Sequence, residues 1–137
     1  MPGKLYYFDV GGRGESIRSL LSHASVRYTD ERISGADFGK MKAAGDERLP
    51  LGSMPVWEED GFRICQSNAI LRTLGIRFGY YSEDPEVAYA IDSLLDFAED
   101  IWHPIGSYIR PAVFGGTELD VEEGVTKVAG EAFGKII

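Results

Sequence analysis

Two short segments of this 137-residue chain carry residue types suited to holding an extended peptide and its carboxylate. In Ser53-Met54-Pro55-Val56 the proline stands at the entry to a run of strand-forming residues. It has no N–H to give a sheet, which leaves the backbone groups of Met54 open to a ligand lying alongside. After the acidic turn Glu58-Glu59-Asp60-Gly61, the stretch Cys65-Gln66-Ser67-Asn68-Ala69-Ile70 opens an apolar helical pattern. A helix start offers unpaired N–H groups and the positive end of the dipole to a carboxylate, and Gln66 and Ser67 sit at that point. The same residues also suit a turn proline followed by an ordinary Ser N-cap, so the rest of the chain has to decide between the two.

A second group surrounds the first strand-like run. Lys4-Leu5-Tyr6-Tyr7-Phe8-Asp9-Val10 leads into Gly11-Gly12-Arg13-Gly14. Neighbouring strand residues face opposite sides, so only one of Tyr6 and Tyr7 can sit over a site at the loop. A phenol with pKa about 10 is neutral at pH 7; it can donate to a thiolate and lower that thiol's pKa from about 8.5. Without such a ligand it is a core aromatic. The glycine run brings backbone N–H groups and Arg13 to the strand end. It lacks the third Gly of a dinucleotide fingerprint and the Lys of a phosphate loop, so nucleotide binding is not expected.

His23 and His103 are too few and too separated for a His-based metal site, and no metal is expected. Asp96, Glu99 and Asp100 have a spacing that suits either a hard cation or a solvated helix face. Cys65 reads as a dipole-depressed thiol or as packing. Being the one cysteine, it excludes an internal disulfide and any CxxC pair, which points to a reducing, cytoplasmic setting. A net charge of −8 and a pI near 4.7 argue against nucleic acid or an anionic membrane as partner. No apolar run reaches the length of a membrane span, and the first residues lack a signal-like core.

The elements that must position these residues follow from periodicity. The first strand ends at Gly11-Gly12, and a helix from Glu15 carries Ile17, Leu20, Leu21 and Ala24 at helical spacing. A second strand starts around Val26-Arg27-Tyr28-Thr29 and runs to Ile33. The stretch from Ser34 to Leu51 is polar, with Phe38, Met41 and Lys42 marking a short helix. Val56 to Ile64 is a hairpin turning near Asp60-Gly61, and Ser67 to Arg77 is a helix. This predicts an α/β layer, β-α-β-α-β-β-α, over 1–80. A second, all-α portion over 85–137 follows, with Asp84 as N-cap and Pro85 at N1. Its long helix carries Val87, Ile91, Leu94, Leu95, Ala98, Trp102 and Ile105, with Pro104 bending it. A last helix from about Asp120 has Val121, Val125, Val128, Ala132, Phe133 and Ile136 on one stripe. Two helices leave apolar faces for further chain or a partner subunit to cover.

Four spaced segments together resemble one family. Leu5 to Glu15, Asp37-Phe38 with Lys42, Met54-Pro55-Val56 and Cys65 to Ile70 look like the cytosolic glutathione S-transferases, nearest the sigma class, over roughly residues 4 to 114. The resemblance implies a thioredoxin-like N-terminal domain, a helical C-terminal domain that is incomplete here relative to the family, a homodimer, and glutathione as co-substrate. It implies that Tyr7 stabilises the glutathione thiolate with support from Arg13. Lys42 would pair with the glycine carboxylate, Met54 before a cis Pro55 with the cysteinyl part, and Gln66 and Ser67 with the γ-glutamyl carboxylate. Asp100 would reach the γ-glutamyl amine across the dimer. Phe38 stands where this class often has Trp and Ser53 where Gln is common, and the loop from Ala43 to Leu51 is longer than usual.

By the same resemblance, Val10, Gly11, His103, Ser107 and Tyr108 face a small electrophile. The function so implied is detoxifying transfer of glutathione sulfur. A catalytically inactive structural or interaction subunit and a glutathione-dependent prostaglandin isomerase are the alternatives.

Overall fold

The computed structural model describes residues 2–116, 118 and 120–133, and the chain separates into two compact units, Met1–Ala88 and Tyr89–Ile137. In the first, alternating strand residues serve two cores. Strand β1 (Lys4–Phe8) lies between β2 (Thr29–Ile33) and β3 (Val56–Glu59), and β4 (Phe62–Cys65) completes the order β2-β1-β3-β4. β1 runs parallel to β2 and antiparallel to β3, which pairs antiparallel with β4. Helices α1 (Gly12–His23), α2 (Gly35–Ala43) and α3 (Ser67–Phe78) fill the connections, giving the expected thioredoxin-like β-α-β-α-β-β-α order.

Leu5 and Trp57 are cross-strand partners, and both are buried with Ile17 and Leu21 of α1 and Ile70 and Leu74 of α3. Their chain neighbours Tyr6 and Val56 are also partners. They point to the other face, where Met41 of α2 and Leu49 cover them. Tyr7 therefore shares the face of Leu5 and is aimed at α1.

Three boundaries differ from the sequence reading. β1 stops at Phe8 and α1 begins at Gly12 rather than Glu15. Gly12 takes φ +56°, a conformation that a side chain disfavours, so the chain reverses within a short turn. β2 begins at Thr29 because the Val26 N–H is held by the Leu21 carbonyl at the helix exit, 2.9 Å. The polar stretch after Ser34 does form a helix, capped by the Ser34 hydroxyl accepting from the Asp37 N–H at 3.0 Å and anchored in the core by Met41.

The long helix α4 (Pro85–Gly115), whose first turn belongs to the first unit and the rest to the second, passes through Pro104 and Pro111 without ending. It starts as the sequence predicts, with Asp84 Oδ1 accepting from Glu86 and Val87 at 2.9 and 3.2 Å. α5 (Val121–Phe133) is capped by Asp120, which accepts from the Glu123 N–H at 2.9 Å. Ile105 and Ile109 of α4 and Val121, Val125 and Val128 of α5 line an apolar groove. Ile136 and the side chains of Ala132 and Phe133 lie outside the described residues. Among the described residues no helix is long and apolar enough to cross a membrane.

Candidate functional site

Register brings the separated segments of the first unit to one end of its sheet. Tyr6 pairs with Val56 and Val56 with Cys65, so the next residues along each chain, Tyr7, Pro55 and Gln66, emerge side by side. This is the carboxyl end of β1, where the β1–α1 turn with Val10 and Gly11 also lies. The helix that follows β4, α3, starts in the same place.

The Tyr7 ring is 7% exposed and its hydroxyl oxygen accepts the Arg13 N–H at 3.1 Å. The Gly14 N–H also supports this oxygen. Both donors belong to the first turn of α1, whose N–H groups have no intrahelical partner. Gly14 permits the approach, because a Cβ there would fall on the ring. Burial pushes the Tyr7 phenol above its ordinary value of 10.0; the Arg13 N–H bond opposes this first, then the charges of Arg13 and Arg18. The group is therefore a neutral hydroxyl at pH 7. With its oxygen engaged by N–H donors, its own proton is directed elsewhere.

The Met54–Pro55 bond is cis and Pro55 is buried. Met54 packs on the Tyr6 core beside Phe38, Ile33 and Cys65. Gln66, the residue before α3, has φ +70° and ψ +118°, a conformation unusual for a side-chain-bearing residue and held by the elements on either side of it. Ser67, at the first position of α3, is 7% exposed, and no acidic side chain occupies that first turn. The helix start thus turns the positive end of its dipole to this end of the sheet.

Phe38 reaches the same region through an edge contact with Phe8, ring centroids 5.1 Å apart. The Lys42 ammonium lies 6.0 Å from the Phe38 ring centroid, and its stem passes close to Gly52, next to Ser53. One patch thus holds a neutral phenol, two cationic side chains, a helix start and the Met54 backbone ahead of cis Pro55. That set suits an extended anionic molecule whose acidic hydrogen-bonding group meets Tyr7.

Four other candidates lie in the second unit. Asp100 and His103 are exposed on α4. The Ser107 hydroxyl turns back to the His103 carbonyl at 3.0 Å, and the Tyr108 hydroxyl donates to the Asp120 carbonyl. Among the described residues no group of three His, Cys, Asp or Glu is arranged to hold a metal ion.

Sequence reasoning passed over Arg18. It is 7% exposed and its guanidinium meets the carbonyls of Phe8 and Val10 and the carboxylates of Glu15 and Asp30. The signal was present: Gly14, Ile17, Arg18 and Leu21 form the buried stripe of α1, and an arginine on such a stripe needs partners.

Comparison with known proteins agrees with this architecture. Glutathione S-transferase 2 of Caenorhabditis elegans is 34% identical over 119 residues, 87% of this chain and 61% of the relative. The hematopoietic prostaglandin D synthase of Gallus gallus is 37% identical over 97 residues, 71% of this chain and 47% of that protein. Among solved structures, the monomeric glutathione S-transferase Na-GST-3 of Necator americanus superposes with a TM-score of 0.77 at 33% identity, covering 98% of this chain and 63% of that one. The chain thus spans less than two thirds of the length of these relatives. Residues 3–74 match the glutathione S-transferase N-terminal domain. On that match, the chain belongs to the glutathione S-transferase family.

Proposed function

We propose that this chain binds glutathione at the carboxyl end of β1 and transfers its sulfur to a small electrophile, as a detoxifying transferase nearest the sigma class. The observation that carries the reading is the Tyr7 hydroxyl, whose oxygen accepts from the first turn of α1 while its proton is left to donate. A bound thiolate accepting that proton is favoured over the thiol, so more of the nucleophile is present at pH 7. The sulfur lone pair then forms a C–S bond to the electrophile, and the displaced electron pair leaves with a leaving group or takes a proton.

Tyr7 and Arg13 are the catalytic pair in this reading. Lys42 and the α3 start at Gln66 and Ser67 hold the two carboxylates of the tripeptide, while Ser53, Met54 and Pro55 align its backbone and Phe38 walls the patch. The charge distribution supports it, since an acidic chain concentrates Arg13, Lys42 and a helix N-terminus at this one end of the sheet. A homodimer in which Asp100 reaches the partner's glutathione, and a cytoplasmic location, belong to the same proposal. Val10, Gly11, His103, Ser107 and Tyr108 are the proposed electrophile-side residues.

Calorimetric titration of the purified chain with glutathione, followed by a chromogenic conjugation assay, tests the reading. Binding with turnover is expected. Binding without turnover would favour the inactive interaction subunit. The prostaglandin synthase relatives favour one further assay, isomerisation of a prostaglandin endoperoxide with glutathione present.

A further inference from the structure

We propose that Arg18 is a positioning residue for Tyr7, fixing the phenol and the Phe8–Val10 turn against α1 and setting a permanent positive charge beside the ring. This rests on the reading that Tyr7 donates to the glutathione thiolate.

The geometry is that of a fork used on every side. Arg18 Nε donates to both Asp30 oxygens at 3.3 and 3.1 Å, Nη1 to the Val10 carbonyl at 2.9 Å and to Glu15 Oε2 at 3.1 Å, and Nη2 to the Phe8 carbonyl at 3.3 Å. Its Cζ lies 5.7 Å from the centroid of the Tyr7 ring. The two carbonyls flank Asp9, the residue at which the chain leaves β1, so one side chain holds both ends of the turn that follows Tyr7. Asp30 is the register partner of Leu5, which ties the fork to the centre of the sheet. The same Asp30 accepts from Arg32 at 2.9 Å, and Arg32 donates to Asp9 at 2.8 Å, closing the turn from its outer side. Lysine could not reproduce this pattern, having one nitrogen where the guanidinium has three.

The charge has a second consequence. The charged groups facing Tyr7 are Arg13 and Arg18, both cationic. The carboxylates Glu15 and Asp30 are engaged by the Arg18 guanidinium. A cation against the ring favours electron density moving onto the phenol oxygen as it donates to a thiolate. Burying this guanidinium is costly unless its partners are present, and here two carboxylates and two carbonyls offset that cost.

The test titrates Tyr7 directly by carbon NMR of ζ-labelled tyrosine in the intact chain, with Tyr7→Phe assigning its resonance. Arg18→Met is expected to move the Tyr7 titration to higher pH, and Arg18→Lys to restore part of it by keeping the charge. Should Arg18→Met fail to fold, Arg18→Gln keeps hydrogen-bond donors without the charge and is expected to move the titration the same way. An unchanged Tyr7 titration in a folded, uncharged variant overturns the proposal.

In conjugation assays, Arg18→Gln should lower kcat about tenfold or more with little change in KM for glutathione, and this factor should vanish in the Tyr7→Phe background. An equal loss with and without the Tyr7 hydroxyl means that Arg18 only supports the fold, and overturns the proposal. If Tyr7→Phe alone leaves conjugation intact, the reading of Tyr7 as donor to the thiolate fails, while the phenol titration still judges Arg18 independently.

Discussion

The Arg13 backbone N–H donates to the Tyr7 hydroxyl at 3.1 Å, joining the first turn of α1 to the end of β1 at the atom on which the proposed chemistry depends. A helix whose early N–H groups need acceptors and a phenol whose proton needs a direction satisfy each other.

Tyr7→Phe should remove that donor and let the thiol of bound glutathione return toward about 8.5. Because the thiolate is the reactive form, activity rises with pH through the thiol pKa, and the variant's rise should shift to higher pH. At pH 7 a loss of about 100-fold in kcat is expected, the scale of losing one well-placed donor. Tyr7's own pKa is raised above 10.0 by burial, so in the wild type donation persists through neutral pH and is lost only in strong base. A pH–rate profile for both proteins checks each point.

Gly14→Ala should destabilise the chain by about 1–3 kcal/mol, because the new Cβ falls on the Tyr7 ring against a buried strand. Gly39→Ala, inside α2 with nothing within 4 Å of its added Cβ, should instead stabilise by about 0.5–1 kcal/mol. Denaturant midpoints of the two variants should move in opposite directions.

On α3, Leu74 is fully buried and Ile76 is 65% exposed, two residues apart. Leu74→Ala should cost about 2–5 kcal/mol by opening a cavity among Leu5, Ile17 and Trp57. Ile76→Ala should stay within about 0.5 kcal/mol in the monomer. Equal midpoints for the two would contradict the helix orientation described above.

Asp46 accepts hydrogen bonds from the Arg48 side chain and backbone, which hold its carboxyl down from 3.8 to about 2. A depressed carboxylate contributes stability that is fully present above about pH 4 and lost as pH falls toward 2. Asp46→Asn should therefore melt below wild type at pH 6 and converge with it near pH 2. Melting temperatures across that interval give the comparison.

Element order and type were legible in the sequence wherever a pattern repeats over several residues. The Leu5/Tyr6 alternation and the α1 and α3 stripes specify strand and helix because burial on one face demands a fixed period. The cap at Asp84 was legible for a similar reason, a short-range hydrogen bond needing only a local spacing. The start of α1 was read three residues late because Gly12 and Arg13 carry no periodic signal, and the close turn is set by a single positive φ.

The sequence alone determined that Tyr7, Met54-Pro55 and Gln66-Ser67 are types fit to bind a peptide carboxylate and a thiol, since side-chain chemistry and proline's missing N–H are local properties. Their meeting was decided only by tertiary structure, through the register Tyr6–Val56–Cys65 that brings three distant strand ends into line. The same is true of Arg18. Its charge is written in the sequence, but its partners come from β1, β2 and α1, and only folding brings them within reach of one guanidinium.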